Sequence, residues 1–405
     1  MANSLSASFE TIWAREQQEV FYKRTVSNVV ADVSKRAVMS SGQTLTRTYR
    51  SGSINDAPWL YTRGTDISLT NITDTAETLT VNKQFADGFY VDDFDAIQDK
   101  YDIAANYGRD YGEKMKSQID ADVLYEVVNA SSVVDAGSVG GTAGQGITLA
   151  TATILNVFTA ATKKLAKLNI MDTDKVGVIS PEVEEFISLY YGAKVTDLGD
   201  KVSENGYFTK ISGYQLYTSN NVAGSAVLAL ATNPTNWDTV TIQGVTFTFV
   251  SPIGTAPGNV LIGGSADASR ANLAALINAP WTTTANGVAH TGVTLNNVAA
   301  RMVAVNDDTA NTLSVRYKGA GVLTVSETLT NGSDVWTTTL QKQLCLLGVR
   351  NMCTTLVVQS APKIYRKEEP KKIGGNYLSA MLYGIKTFAD NAKNMVRVEI
   401  ASSGF

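Results

Sequence analysis

The sequence has few of the residues on which catalytic and metal sites usually depend. Its 405 residues include two cysteines, one histidine and eight prolines. Two cysteines are too few for a disulfide framework or a cysteine-based zinc site, so Cys345 and Cys353 are interpreted as buried small hydrophobic residues. His290 lies among Thr, Asn and Gly residues and is interpreted as an exposed loop histidine, which leaves no Ser-His or Cys-His pair. We therefore expect no enzyme activity, no cofactor and no bound metal.

Charge and hydrophobic runs exclude further classes. The 34 basic and 38 acidic residues give a net charge of -4, which argues against a dedicated nucleic-acid binder that neutralises many phosphates. No apolar run reaches the roughly 18 residues of a membrane span. The first residues, MANSLSASFETIWAREQQ, lack the charged-then-apolar order of a signal peptide. The sequence thus predicts a protein that is made and used in the cytosol, without a membrane partner.

Three local patterns invite a chemical interpretation and do not sustain it. GSVGGTAGQG at 137–146 lacks the GxxxxGK[ST] spacing of a phosphate loop and is interpreted as a flexible connector. DTDKVG at 172–177 resembles the start of a calcium loop, but Val176 and Val183 stand where oxygen ligands are needed. The acidic pairs, interpreted as solvated, are Asp92/Asp93, Glu184/Glu185, Asp307/Asp308 and Glu368/Glu369.

The stretch from Asp92 to Asn129 is predicted to be one long amphipathic helix of about 50 Å. Apolar or small residues recur every three or four positions, at Ile97, Tyr101, Ala104, Gly108, Tyr111, Met115, Ile119, Val123 and Val127. The opposite face carries charges of both signs, from Asp99 to Asp120. Since such a helix needs an apolar partner along its length, we expect a sheet beside it.

Two extensions precede this helix. Residues 1–42 form an arm with a predicted helix at Ser8–Tyr22, which has little to bury alone. Gln43 to Phe85 reads as two extended segments around a turn-rich tip with Gly52, Pro58 and Gly64, a long β-hairpin. A hairpin of this length is not stable alone and must lie on something else.

The remaining chain alternates helices and strands and then becomes mostly β. The predicted elements up to residue 222 are a helix at Thr151–Leu168, a buried strand at Lys175–Ser180, a helix from Pro181 to Tyr190, and one or two strands within 206–222. From Ala223 to Gln343 charged residues are sparse, and the pattern predicts a hairpin at Asp238–Val250 around Gln243-Gly244, a helix at Ala268–Asn278 capped by Asp267, and a second hairpin from Arg301–Asn306 to Thr312–Lys318. After this insertion come a β-leaning run at Leu344–Val358, a charged loop at Arg366–Lys372 and a strand at Met395–Ile400.

The order of these elements resembles the major capsid (coat) proteins of tailed bacteriophages, which have the Hong Kong 97-type fold. The motifs that carry the resemblance are DKVGVISPEVEEFISL at 174–189, KISGYQLYTSNNV at 210–222 and LYGIKTFADNAKNMVRVEI at 382–400. The resemblance implies an α+β fold with an N-terminal arm (1–42), an extended hairpin loop (43–90), a peripheral domain with the spine helix (91–150 and 376–405) and an axial domain (151–222 and 344–375). The insertion at 223–343 stands where P-twenty-two-like coat proteins carry one.

The resemblance also implies a function. It predicts a major capsid protein of a virion, whose pentamers and hexamers close an icosahedral shell around double-stranded DNA, with a separate scaffolding protein, a portal protein and, as an option, a decoration protein as partners. The alternative is the shell subunit of an encapsulin-type compartment. Covalent cross-linking, known in one branch of the family, would have only Lys83 available in the hairpin.

Candidate contact residues follow from this implied assembly. The subunit-contact candidates are Trp13, Trp59, Leu60, Tyr61 and Arg63. A turn packed on its own subunit is the alternative for the hairpin tip. The candidates for non-specific contact with packaged DNA on the inner surface are Arg15, Lys23, Arg24, Lys35 and Arg36.

Overall fold

The computed structural model describes residues 25–36, 42–50, 60–66, 74–98, 103–151, 153–170, 174–192, 210–292, 298–368 and 373–402. Its helices are α1 Ser27–Val30, α2 Asp93–Gln98, α3 Ile103–Tyr125, α4 Ile154–Lys167, α5 Pro181–Gly192, α6 Ala266–Asn278 and α7 Ala389–Lys393. Short 3-10 helices lie at Ser34–Arg36, Glu126–Asn129, Ala136–Val139, Ala299–Arg301 and Thr338–Leu340. Among the described helices, none is both long and apolar enough to cross a membrane.

The strands follow in chain order. They are β1 Ala31–Asp32, β2 Thr44–Arg50, β3 Asp74–Thr80, β4 Lys83–Asp92, β5 Ser132–Val134, β6 Lys175–Ile179, β7 Lys210–Ile211, β8 Tyr214–Thr218, β9 Ala223–Ala229, β10 Thr239–Ile242, β11 Val245–Val250, β12 Asn259–Leu261, β13 Met302–Asp307, β14 Thr312–Tyr317, β15 Val325–Glu327, β16 Lys342–Val349, β17 Thr354–Glu368, β18 Gly374–Lys386 and β19 Met395–Ala401. The described chain is therefore of the mixed α+β class that the sequence predicted.

The predicted long helix is present as α3, which is 23 residues long. At 1.5 Å per residue it spans about 35 Å. It does not begin at Asp92, because Asp92 ends strand β4 and the separate helix α2 follows. The predicted apolar stripe is buried at Met115, Ile119 and Val123, whereas Ile97 on α2 is 81% exposed. The buried part of the apolar stripe therefore lies in the C-terminal half of the segment 92–129.

The expected sheet lies against α3. It has the order β1-β17-β18-β4, and we call it the long-strand sheet. Met115, Ile119 and Val123 of α3 share a buried cluster with Met381 and Tyr383 of β18. Two sequence expectations change here: Lys83–Asp92, part of which was assigned to the hairpin, is strand β4, and Arg366–Glu368, assigned to a loop, belongs to β17.

A second, nine-stranded sheet holds most of the remaining strands. Its main path is β13-β14-β9-β16-β6-β8-β7, and β19 joins β16 to β5. The run at Lys175–Ile179 is buried between β16 and β8, as its continuous apolar character predicted. Helix α4 covers one face through Val157, Phe158 and Leu165. The end of α3 covers the other through Leu124.

The segment 223–343 adds a further sheet and its own core. A four-stranded sheet with the order β12-β11-β10-β15 packs with α6 around Phe247, Phe249, Leu273 and Ile277. The hairpin predicted around Gln243-Gly244 is present, and both turn residues have positive φ. Strands β9, β13 and β14 of this segment extend the nine-stranded sheet. Helix α6 is capped by the Ser265 side chain and not by Asp267.

Candidate assembly surface

The described tip of the hairpin projects large side chains into solvent. Leu60 is 97% exposed and Tyr61 is 58% exposed. Arg63 is exposed as well. The contact role of Leu60, Tyr61 and Arg63 stays a prediction, as does the alternative in which the turn packs on its own subunit. Trp59, the neighbouring candidate, lies outside the described residues, so its contact role stays a prediction.

The base of the hairpin, in contrast, is fixed to its own chain. Leu79 and Val81 share a buried cluster with Val357 and Phe388. Arg47 on β2 forms an ion pair with Asp390 at the start of α7. Strands β2 and β3 pair from Thr44↔Thr80 to Arg50↔Asp74. The base of the hairpin is therefore buried on its own chain, whereas Leu60 and Tyr61 in the described part of the tip are exposed.

The end of the N-terminal arm is held by a buried carboxylate. Asp120 Oδ1 accepts hydrogen bonds from the backbone N–H groups of Val26 and Ser27, each at 2.7 Å. Its Oδ2 accepts one from Asn221 Nδ2 at 2.8 Å. Burial raises the pKa of Asp120, and the bonds from Asn221, Val26 and Ser27 offset part of that rise. The prediction that Asp120 lies on the exposed face of the helix is wrong, because its side chain is buried and accepts hydrogen bonds from Val26 and Ser27, 94 and 93 positions away.

A second buried carboxylate joins four parts of the chain. Asp122 on α3 accepts from Lys83 Nζ of β4 at 2.9 Å and from the Tyr383 hydroxyl of β18 at 2.6 Å. Lys318 Nζ, which follows β14, lies 3.0 Å from its other oxygen. Burial alone would raise the pKa of Asp122, but the charges of Lys318 and Lys83 and the Tyr383 hydroxyl lower it. Lys83, the only cross-linking candidate, is therefore in an ion pair within its own subunit.

Sequence reasoning missed both Asp122 and Tyr383. A signal was present, because Asp122 falls three residues after Ile119 and beside Val123, on the buried face of α3. An acidic residue inside an apolar stripe requires charged partners. The identity of those partners, from positions 83, 318 and 383, could not be read from local spacing.

One face of the long-strand sheet exposes apolar side chains. Leu378 of β18 lies opposite Tyr365 of β17 and opposite Gly88 of β4. Tyr90 follows Gly88 by two residues and therefore lies on the same face of the sheet. Leu378, Tyr365 and Tyr90 are 38%, 46% and 39% exposed. Tyr377, on the other parity, stacks on Phe89 at 5.2 Å between ring centroids, under α3. The exposed trio therefore lies on the face away from the helix.

The predicted DNA-facing cations are only partly described. Lys35 is half-buried, and Arg36 ends the 3-10 helix Ser34–Arg36. Trp13, Arg15, Lys23 and Arg24, together with the predicted helix Ser8–Tyr22, lie outside the described residues. Their role as an inner-surface contact stays a prediction.

The histidine and both cysteines lie in the protein core. His290 is 6% exposed and packs edge-on against Phe247 at 5.0 Å between centroids, so the prediction of an exposed histidine is wrong. Burial lowers the pKa of His290. Cys345 and Cys353 are buried as predicted, and burial raises the pKa of each to about 12. Within the described ranges, no group of three His, Cys, Asp or Glu side chains could hold a metal.

The glycine-rich connector is more ordered than predicted. Asp135 accepts hydrogen bonds from Ser138 N–H and from Gly144 N–H, which closes the loop on itself. Burial would raise the pKa of Asp135, but the bonds from Gly144 and Ser138 lower it. The Asp135 carboxylate thus accepts N–H groups that a phosphate loop would offer to a bound anion. The loop forms a folded corner beside β19.

Comparison with known proteins agrees with this architecture. No protein-family model and no curated protein sequence matches the chain. Solved structures do match. One described as Mycobacterium phage Che8 has a TM-score of 0.56 at 12% identity over 96% of each chain. The capsid structure of the cyanophage P-SCSP1u also has a TM-score of 0.56, at 11% identity over 100% of this chain and 96% of that one.

A third match is the mature capsid of bacteriophage PhiM1, with a TM-score of 0.51 at 9% identity over 97% of this chain and 92% of that chain. Identities this low carry no residue-level equivalence. Coverage near the full length on both sides shows that the similarity extends over the whole architecture and not over one domain. The chain has the Hong Kong 97-type fold of phage capsid proteins.

Proposed function

We propose that this chain is a major capsid protein, whose copies form pentamers and hexamers that close an icosahedral shell around viral double-stranded DNA. The fold supports the proposal, since two structures that share it over nearly the whole chain are described as phage capsids. The proposal places the protein in a virion, with assembly in the cytoplasm of a bacterial host.

The hairpin is the observation that carries the proposal. Its base is buried on its own subunit, yet Leu60 at the tip is 97% exposed and Tyr61 is 58% exposed. Burying a Leu or aromatic side chain stabilises a contact by about 1.5–3 kcal/mol. A monomer forgoes that stabilisation, whereas a neighbouring subunit under the tip would supply it.

The exposed face of the long-strand sheet offers a different surface for contact. Tyr90, Leu378 and Tyr365 present apolar area that α3 does not cover. When one surface of a subunit contacts a different surface of the next, the repeated contact generates a ring. We propose the hairpin tip and the sheet face as such a pair, whose repetition would build the rings of five and six.

The implied partners follow from shell assembly. We propose a separate scaffolding protein, a portal protein, an optional decoration protein and non-specific contact with packaged DNA. The basic arm residues Arg15, Lys23, Arg24, Lys35 and Arg36 are the candidates for the DNA contact, because cations near phosphates release counterions. No enzyme activity is part of the proposal.

Electron microscopy of particles from cells that express the chain with its scaffolding partner tests the proposal. Shells that contain DNA support it, and small shells filled with a protein cargo would instead support the compartment alternative. Discrete small oligomers under all conditions would rule out both.

A point variant tests the role of the hairpin tip. Leu60→Glu should abolish shells while leaving the thermal unfolding of the free subunit unchanged, since the side chain is 97% exposed. Val305→Glu is the matched control, because Val305 is 47% exposed on the inserted segment. Normal shells from Leu60→Glu would remove the tip from the assembly contact.

A further inference from the structure

The outer face of the four-stranded sheet in the inserted segment is a surface of hydroxyl groups. Thr239 lies opposite Thr248, and Thr241 lies opposite Thr246. The alternate residues of these strands, such as Val240 and Phe247, are buried in the core, so the threonines share the outer face. Two exposed residues extend this surface: Ser326 in β15 and Thr328, which directly follows β15.

The hydroxyl groups on this face form ordered pairs. Thr241 Oγ1 and Thr246 Oγ1 are 3.0 Å apart, and Thr239 Oγ1 and Thr328 Oγ1 are 2.7 Å apart. The charged residue within these four strands, Glu327, pairs with the buried Val240 and so lies on the core parity. Within the four strands, this face therefore carries no charged side chain.

The hydroxyl surface leads into a cleft of 240 Å³. Thr235 and Thr330 line it with their hydroxyl oxygens 2.6 Å apart, and Thr232 and Asn331 line it as well. Two buried carboxylates, those of Asp238 and Asp334, hold these residues by hydrogen bonds. Asp238 Oδ1 accepts from the Thr330 hydroxyl at 2.8 Å, and Asp334 Oδ2 accepts from the Thr232 N–H at 3.2 Å.

An exposed tryptophan stands beside the cleft. Trp237 is 71% exposed and lies between Thr235 and Asp238, which both line the cleft. Its φ is 76°, a value that bulky residues rarely adopt and that the surrounding structure must impose. The N–H of Trp237 donates to the Phe249 carbonyl at 2.8 Å and holds the turn. The fold thus maintains a strained backbone that presents an indole ring to solvent.

We propose that this surface, Trp237 with the cleft and the threonine rows, binds a neutral glycan. A sugar ring has a C–H face that packs on an aromatic ring, and it has hydroxyl groups that both donate and accept hydrogen bonds. Threonine hydroxyls and asparagine amides both donate and accept, so they match such a partner without a charge. The cleft adds a concave end where one sugar unit can be surrounded.

The same features disfavour other partners. A nucleic acid requires cations, and the four strands offer none on this face. A protein partner with a stable interface requires a cluster of buried apolar anchors. Trp237 is the one exposed aromatic side chain among the residues named for this surface, which suits the stacking of a single sugar ring better than a protein contact.

The test uses the full chain in native gels cast with soluble neutral polysaccharides, namely dextran, soluble starch, galactomannan and mixed-linkage β-glucan, with heparin as the anionic comparison. An array of neutral microbial and animal glycans extends the range. We expect retardation by at least one neutral polysaccharide or binding to neutral glycans on the array, and none by heparin. Trp237→Ala should weaken binding about tenfold or more, while Trp237→Tyr retains most of it.

Trp281→Ala is the matched control, because Trp281 is a second exposed tryptophan of the inserted segment, at 60%. It should bind like the parent chain. Thr246→Val removes one hydroxyl from the row without changing its shape and should weaken binding, with an unchanged near-ultraviolet circular dichroism spectrum. Binding to heparin alone, equal loss in Trp281→Ala and Trp237→Ala, or no binding to any gel or array glycan would overturn the proposal.

Discussion

Replacing Asp122 by alanine should destabilise the subunit more than any surface substitution. The side chain of Asp122 is 2% exposed, and its oxygens meet Lys83, Lys318 and the Tyr383 hydroxyl within 2.6 to 3.0 Å. Asp122→Ala leaves two lysines, 27% and 17% exposed, without their shared counter-charge. Removing one partner of a buried ion pair costs about 3–5 kcal/mol. We expect a loss in that range in the free energy of unfolding of the unassembled subunit.

Urea denaturation followed by intrinsic fluorescence measures this loss. Lys318→Met should cost less, since Asp122 keeps Lys83 and Tyr383. Glu185→Ala, on the exposed side of α5, should change stability by less than about 0.5 kcal/mol and serves as the control. A loss below about 1 kcal/mol for Asp122→Ala, well under the cost of a broken buried pair, would refute the reasoning.

The pH dependence gives an independent check on Asp122. Its folded-state pKa lies below the usual value of 3.8, so its contribution is present above that pH and declines as the pH falls through the folded-state pKa. The stability difference between the parent chain and Asp122→Asn should therefore be constant near neutral pH and shrink below about pH 4. A difference that grows on acidification would contradict the ion-pair description.

Three further predictions concern other parts of the chain. Asp120→Ala should expose the arm to limited proteolysis near residue 25 and lower the free energy of unfolding by about 1–3 kcal/mol, because the Val26 and Ser27 N–H groups lose their acceptor. Asp120→Asn should lower it less. Unchanged cleavage in Asp120→Ala would contradict the anchoring role. Burial lowers the pKa of His290, so the unfolded chain binds the proton more readily and thermal stability should fall as the pH drops below about 6.5, whereas His290→Leu should show no such step. Deletion of 223–343 with a short linker should leave a soluble subunit with a cooperative thermal transition, since Ala223 pairs directly with Leu344; an unfolded monomer would place the boundary elsewhere.

Local periodicity predicted the elements whose identity depends on neighbours in sequence. The stripe through Met115, Ile119 and Val123 identified α3, and the apolar run at Lys175–Ile179 identified the buried strand β6. The turn at Gln243-Gly244 was predictable because it separates two strands with period-2 patterning, and in the structure both residues take positive φ.

What local spacing could not supply was the partner of each buried polar group. Asp120 has the same helical spacing as an exposed charge, and only the return of the chain at Val26 and Ser27 makes it buried. His290 looks like a loop residue until Phe247 is placed beside it. The hairpin tip was predictable as a turn, but the exposure of Leu60 depends on where the base is anchored.

The two native thiols have a practical consequence. Cys345 and Cys353 lie in the core, where burial raises the pKa of each to about 12. Alkylating reagents attack the thiolate, so the folded chain should be nearly inert to maleimides at neutral pH. One cysteine introduced on the surface would then carry a dye or a drug at a single chosen position in every copy, with no need to remove the natural ones.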